Sequence, residues 1–195
     1  MAKSNQLFVL KTKGLQETLA GVSHLKNGQR SALMGGINDT LKSARAYASK
    51  LIRDKVNLKK KDLDPYIGIF HAQKQRLSGS LNVKPGRRIS LKYFGARQTK
   101  AGVTYKIDKK GAKKTLNKGF MGPKLGVMAV KLKGHPFVRV KDKRKPVAMA
   151  VGVSAWGAFA VNEYPARTKE YAQEQLEKNV ARRVNFLLLK AAGKI

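Results

Sequence analysis

Three histidines, His24, His71 and His135, and the neighbouring acids Asp62 and Asp64 are the residues with which this chain could do chemistry. No histidine has a partner at metal-ligand spacing such as H-x-x-x-H, so each reads as a surface or satisfied core histidine. Asp62 and Asp64 could hold a nuclease metal only with a third acid, and helix capping ahead of Pro65 explains them more simply. The run Gly36-Ile-Asn-Asp-Thr-Leu-Lys-Ser43 comes within one residue of a phosphate-binding P-loop, but Leu41 stands where the second glycine must be. Gly119, Gly122 and Gly126 do not fit the dinucleotide pattern G-x-G-x-x-G and read as turn residues around Pro123. Hydrolytic catalysis needs paired carboxylates, an activated nucleophile or a metal cluster. The sequence therefore predicts no catalytic residue, no metal and no cofactor.

What the side chains offer instead is charge. The chain holds 42 Lys and Arg against 11 Asp and Glu, a net charge of +31 with pI near 10.7. Residues 65 to 145 alone carry 22 cations against two acids, Asp108 and Asp142, threaded between strand-like apolar residues. Such a compact state is pushed apart by its own field unless something anionic lies against it. Nucleic acid, an acidic protein surface and an anionic membrane all qualify on charge alone, because a phosphate backbone rewards Lys and Arg through counterion release without reading sequence. The candidate anion-facing residues are Arg87, Arg88, Arg97, Lys100, Lys106, Lys109, Lys110, Lys113 and Lys114. Tyr93, Phe94 and Tyr105 could stack on bases beside them. Tyr93 and Tyr105, however, share an apolar alternation with Ile89, Leu91, Val103 and Ile107, which predicts core and leaves the cations as a sequence-independent electrostatic surface.

At 42% hydrophobic, the chain is richer in apolar residues than charged disordered chains, so it folds. It has no cysteine, which excludes disulfides and thiolate metal sites and fits assembly in a reducing cytoplasm. The apolar run Leu7 to Leu10 is too short for the core of a secretory signal. The longest uncharged stretch, Pro146 to Asn162, falls short of the roughly 20 apolar residues of a membrane span and predicts no membrane partner. It reads as a core strand followed by a helix, or as a subunit-facing segment in which Trp156 and Phe159 are the candidate interface residues.

Around these groups the spacing predicts an α+β protein. Gln6 to Thr12 reads as a strand and Leu15 to Val22 as a short helix. Leu33, Ile37, Leu41, Ala44, Ala48, Leu51 and Ile52 recur every three or four residues and predict a long helix over about 29 to 55, weakened at Gly35-Gly36 by roughly 1 kcal/mol per glycine. A helix capped by Asp62, with Pro65 in its first turn, is expected to carry Ile67, Ile69 and Phe70. From Ser78 the period becomes two, predicting about five antiparallel strands of a kind that can close into a barrel: 80–83, 89–93, 103–107, 118–121 and 126–133, with Pro85-Gly86 as the first turn. Phe137 to Val140 resumes extended structure. Ala172, Leu176, Val180, Val184 and Leu187 return to helical spacing over 168–190. Four of the five glutamates, Glu163, Glu170, Glu174 and Glu177, lie in or beside its first half and Arg182-Arg183 in its second, as the helix dipole favours. Length predicts one domain over 1–195: mainly helical over 1–75, a β-rich basic core over 78–152, and a helical segment over 153–195.

The run Arg87-Arg-Ile-Ser-Leu-Lys-Tyr-Phe-Gly-Ala-Arg-Gln-Thr-Lys-Ala-Gly-Val-Thr-Tyr-Lys-Ile107 resembles the minor tail protein Z family, the tail-completion proteins of long-tailed bacteriophages. Arg76-Leu-Ser-Gly-Ser-Leu81, Asp62-Leu63 with Ile67, and Lys118-Gly-Phe-Met121 support the resemblance, which covers about residues 60 to 160. It implies a non-enzymatic virion component, assembled in the host cytoplasm, that forms a homo-oligomeric ring, commonly of six subunits, at the head-proximal end of the tail. Its implied partners are other tail and neck proteins, with non-specific contact to genomic DNA in the channel. It carries over no catalytic residue. The alternative from composition alone is a sequence-independent nucleic-acid-binding protein of ribosomal or chromosome-associated type.

Overall fold

The computed structural model describes residues 6–9, 15–25, 27–123, 132–140, 146–161 and 163–194. The protein is α+β, with a long helix near the N-terminus, a C-terminal helix and small antiparallel sheets. Eleven short strands, not five, are present among the described residues, in four sheets of two or three strands, and none closes into a barrel. Two compact units are formed. The first gathers residues 1–49, 66–84 and 160–195, and the second residues 50–65 and 85–159.

In the first unit β1 (Gln6–Val9), β3 (Ser80–Val83) and β2 (Ile67–Phe70) form an antiparallel sheet in the order β1-β3-β2. Beside them stand α1 (Gln16–Ala20), most of α2 (Gly28–Lys55) and α5 (Tyr164–Ala191). The predicted stripe on α2 is the buried one: Ile37, Leu41, Ala44 and Ala48 are fully enclosed, as are Ala172 and Val180 on α5, with Leu176 and Val184 nearly so. Contacts Gly36 to Val180, Thr40 to Asn179 and Tyr47 to Tyr171 show the two helices running antiparallel. The glycine pair has a packing reason. A Cβ on Gly36 would lie 2.5 Å from Cγ2 and 2.9 Å from Cα of Val180, so the lost helix propensity permits the close approach.

The predicted helix over Ile67 to Phe70 is instead strand β2. A single turn, α3 (Lys60–Leu63), and a 3-10 turn (Asp64–Tyr66) precede it, and Lys59, not Asp62, stands at the N-cap. Alternation over Ile67, Ile69 and pairing with β3 outweigh the Pro65 start signal. Asn38 on α2 holds the exit of β2: its side-chain amide donates to Ala72 O (3.1 Å) and its Oδ1 accepts from Ala72 N (2.8 Å).

The second unit holds three sheets: β4 (Arg88–Ser90) with β11 (Val151–Ser154); β5 (Arg97–Thr99), β6 (Gly102–Tyr105) and β7 (Lys114–Leu116); and β8 (Gly119–Met121), β9 (Pro136–Arg139) and β10 (Val147–Met149). Helix α4 (Ala155–Ala160) follows β11. Pro85-Gly86 does make a turn, with Gly86 at φ 76°, but β3 and β4 on its two sides enter different sheets. The predicted strand 89–93 stops at Ser90, whose hydroxyl accepts from Lys92 N (3.4 Å) and starts a 3-10 turn (Leu91–Phe94) closed by Gly95 at φ 72°. That turn drops Leu91 and Phe94 into the core, with Ile89, Val103, Ala155 and Phe159. The Phe94 ring needs Gly152, where a Cβ would sit 2.8 Å from Cε2. The expected strand 126–133 and the charged run 141–145 fall mostly or wholly outside the described residues.

Candidate cationic interface

The sheet β5-β6-β7 collects most of the cations picked out from sequence. Its register sets Arg97 opposite Thr104 and Thr104 opposite Thr115, and it sets Tyr105 opposite Lys114. Residues directly opposite share a face. One face therefore carries Arg97, Thr99, Thr104 and Thr115, and the other Gln98, Val103, Leu116, Tyr105 and Lys114. Only Val103 of these is fully enclosed, so the apolar side is one residue deep and the hydroxyl-and-arginine side faces solvent. Lys109, Lys110 and Lys113 lie in the hairpin joining β6 to β7, and Lys114 begins β7. All four are exposed, while Lys106, just after β6, is half-buried. Lys100 is exposed in the β5–β6 turn at the opposite end of the sheet.

The hairpin has a fixed base. Lys109 N donates to Lys55 O (2.8 Å), Asn57 N to Ile107 O (2.7 Å), and Asn57 Nδ2 to Lys106 O (3.2 Å). Asp108 is the one acid in this loop, and Gly111 N donates to its carbonyl at 3.1 Å. Short, anchored loops hold the ammonium groups out at low cost in backbone entropy. Arg87 and Arg88 are exposed but belong to the approach to β4 and to β4 itself, in the two-stranded sheet. Of the aromatics, Phe94 is wholly buried while Tyr93 and Tyr105 are half-buried. Among the proposed interface residues, Phe159 is enclosed within the chain, and Trp156, 6.4 Å from it between ring centroids, is half-buried.

One histidine, His135, has a side-chain partner. Nδ1 of His135 lies 2.7 Å from Ser90 Oγ, and the ring stands edge-on to Tyr93 at 5.9 Å. Burial, then the charges of Lys92 and Lys133, hold the imidazole below its ordinary value of 6.5 and favour the neutral ring. Lys92 Nζ donates to Lys133 O at 2.6 Å, which holds the Lys92 ammonium near the ring. No spacing in sequence pairs position 90 with 135, which is why the contact was not legible there.

Elsewhere the acids serve structure. Asp39 Oδ2 receives Arg183 Nη2 at 2.6 Å and Nε at 2.7 Å, a two-pronged pair between α2 and α5. The near-P-loop Gly36 to Ser43 is ordinary helix inside α2, with Thr40 Oγ1 donating to Gly36 O (2.8 Å). Among the described residues no three His, Cys, Asp or Glu gather at metal-binding distances, and no helix is long and apolar enough to cross a membrane. Compared with known proteins, the chain matches no family model, no curated protein and no solved structure.

Proposed function

We propose that the protein is a structural virion subunit of the tail-completion type, assembled in the host cytoplasm. Its copies form a ring, commonly of six, at the head-proximal end of a long phage tail, joining tube and terminator to the neck. The observation that carries this reading is the anchored hairpin and sheet bearing Arg97, Lys100, Lys109, Lys110, Lys113 and Lys114, exposed cations on a packed body. The resemblance of Arg87 to Ile107 supports it. Such a body suits a part wedged between acidic protein rings or around passing DNA, where its self-repulsion is neutralised. Trp156, half-buried on α4, is the aromatic placed to serve a contact between copies. Native mass spectrometry and negative-stain microscopy of the purified protein should show rings, and purified tails should contain the chain. A persistent monomer that is also absent from tails would overturn the reading.

A second reading, sequence-independent binding of nucleic acid, is favoured by the exposed Arg97 and Thr115 on one face of the sheet, since guanidinium and hydroxyl groups are the usual phosphate donors; the hydroxyls of Thr99 and Thr104 on that face are already given to Gly102 O and Arg97 O. Binding that stays tight at physiological salt would favour it over the virion role.

A further inference from the structure

The sheet β8-β9-β10 has one edge closed from within and, among the described residues, one open. At the closed edge Met121 N donates to Gln98 Oε1 at 2.9 Å. At the open edge stands β10, Val147-Ala148-Met149, whose three side chains are all exposed and none charged. No described strand lies beyond it. The neighbouring sheet treats its edges differently, with Arg97 on β5 and Lys114 on β7, the usual guard against unwanted strand pairing.

The ladder phase fixes what the open edge offers. Val140 N donates to Pro146 O (3.1 Å) and Ala150 N to Pro136 O (2.8 Å), while Ala148 is opposite Val138. Antiparallel pairs alternate, so Ala148 bonds inward to β9 and the N–H and C=O groups of Val147 and Met149 point outward. Val147 and Met149 share a face with Arg139 and Phe137. Phe137 stacks on Phe120 at 6.0 Å, and the Arg139 guanidinium lies 5.5 Å from the Phe120 ring centre. Backbone donors and acceptors thus border an apolar strip that ends in a cation.

We propose that β10 is a docking edge that takes an extended strand from a different, acidic protein. The added strand would pair with the outward groups of Val147 and Met149, lay apolar side chains over the Phe120–Phe137 strip and set a carboxylate on Arg139. Charge selects the occupant. The residues preceding β10, Lys141-Asp-Lys-Arg-Lys145, carry four cations and one acid, so a second copy paired along this same edge would set these like-charged runs against each other. The inference goes beyond the ring reading and does not rest on it.

The test uses the full chain and a fluorescein-labelled synthetic peptide alternating Val and Thr between Asp-Glu ends, followed by anisotropy. The peptide should bind, and the same peptide with alternate backbone nitrogens methylated, equal in charge, should bind at least about tenfold more weakly. Met149→Pro removes an outward N–H, a position where an edge strand tolerates proline. It should weaken binding about tenfold with an unchanged circular dichroism melt. Should Met149→Pro fail to fold, Val147→Lys, which leaves the backbone intact, should give the same loss. Equal binding of the methylated peptide, unchanged binding by the folded variants, or a dimer in sedimentation that Val147→Lys dissociates would each overturn the proposal. Rings that persist without peptide binding would overturn this proposal alone.

Discussion

Replacing Lys109, Lys110, Lys113 and Lys114 together by glutamine removes four exposed cations from one anchored hairpin and leaves its backbone contacts with Lys55 and Asn57 intact. Duplex DNA of arbitrary sequence serves as a polyanion probe whatever the natural neighbour is. Each phosphate neutralised adds about 0.9 to the slope of log affinity against log salt. Four such contacts set a ceiling: the variant's slope should be flatter by up to about 3.6. Over a fourfold change in salt, from about 50 to about 200 mM, the wild type should then lose up to about 150-fold more affinity than the variant. Fluorescence anisotropy across that range measures both slopes. The control is Lys59, Lys60 and Lys61, also exposed, changed to glutamine together. If affinity follows net charge alone, the control flattens the slope as much per charge as the hairpin does. That result, or an unchanged slope in the hairpin variant, would refute the assignment of the interface to β6–β7.

Two further outcomes follow from the packing. Gly36→Ala places a methyl 2.5 Å from Val180 Cγ2; overpacking of about 1–3 kcal/mol outweighs the roughly 1 kcal/mol gained in helix propensity, for a net loss of about 1 kcal/mol by urea titration. A stabilised variant would show that α2 and α5 do not approach as described. His135 is held below 6.5 by burial and by Lys92 and Lys133, so the unfolded chain binds its proton first as pH falls. Its contribution to stability is whole above 6.5 and is lost progressively as pH drops toward the lowered folded value. His135→Gln should flatten the pH dependence of the thermal midpoint in that window, and a midpoint profile identical to wild type would contradict the depression by burial, Lys92 and Lys133.

Both long helices were legible because their stripes run for several turns: Ile37 to Ala48 and Ala172 to Val184 repeat at a spacing only a helix places on one face. Short elements were not. Ile67 to Phe70 is four residues long, and a proline start signal two residues ahead favours a helix there, but pairing with Val83 to Ser80 makes it a strand. At Ile89 to Tyr93 the alternation was real but local. Ser90 competes for the backbone through its hydroxyl, and a 3-10 turn buries Leu91 and Phe94 equally well. For the candidate interface, the sequence identified the cations but not their grouping. Register, which puts Arg97 beside Thr104 and Lys114 beside Tyr105, is a tertiary property. The open edge at β10 was visible only as an uncharged stretch; its outward N–H groups follow from the phase set by Val140 and Ala150.

The distribution of charge argues that the two units solve different problems. The first holds 17 Lys and Arg against six acids, and its best-made pair, Asp39 with Arg183, spans the two helices that form its core. The second holds 25 against five, around a core that includes Ile52, Leu63, Ile89, Phe94, Val103 and Phe159. A small core yields only a few kcal/mol of net stability. Evolution would not keep uncompensated like charge on such a body if stability alone were selected, because neutral surface residues would fold it better. Surplus charge on short, anchored loops is what an anionic neighbour would compensate. A uniform polyanion would account for the hairpin, yet it leaves the uncharged edge at β10 without a purpose. An acidic protein with an extended segment would account for both, if one neighbour met the cations and completed the sheet.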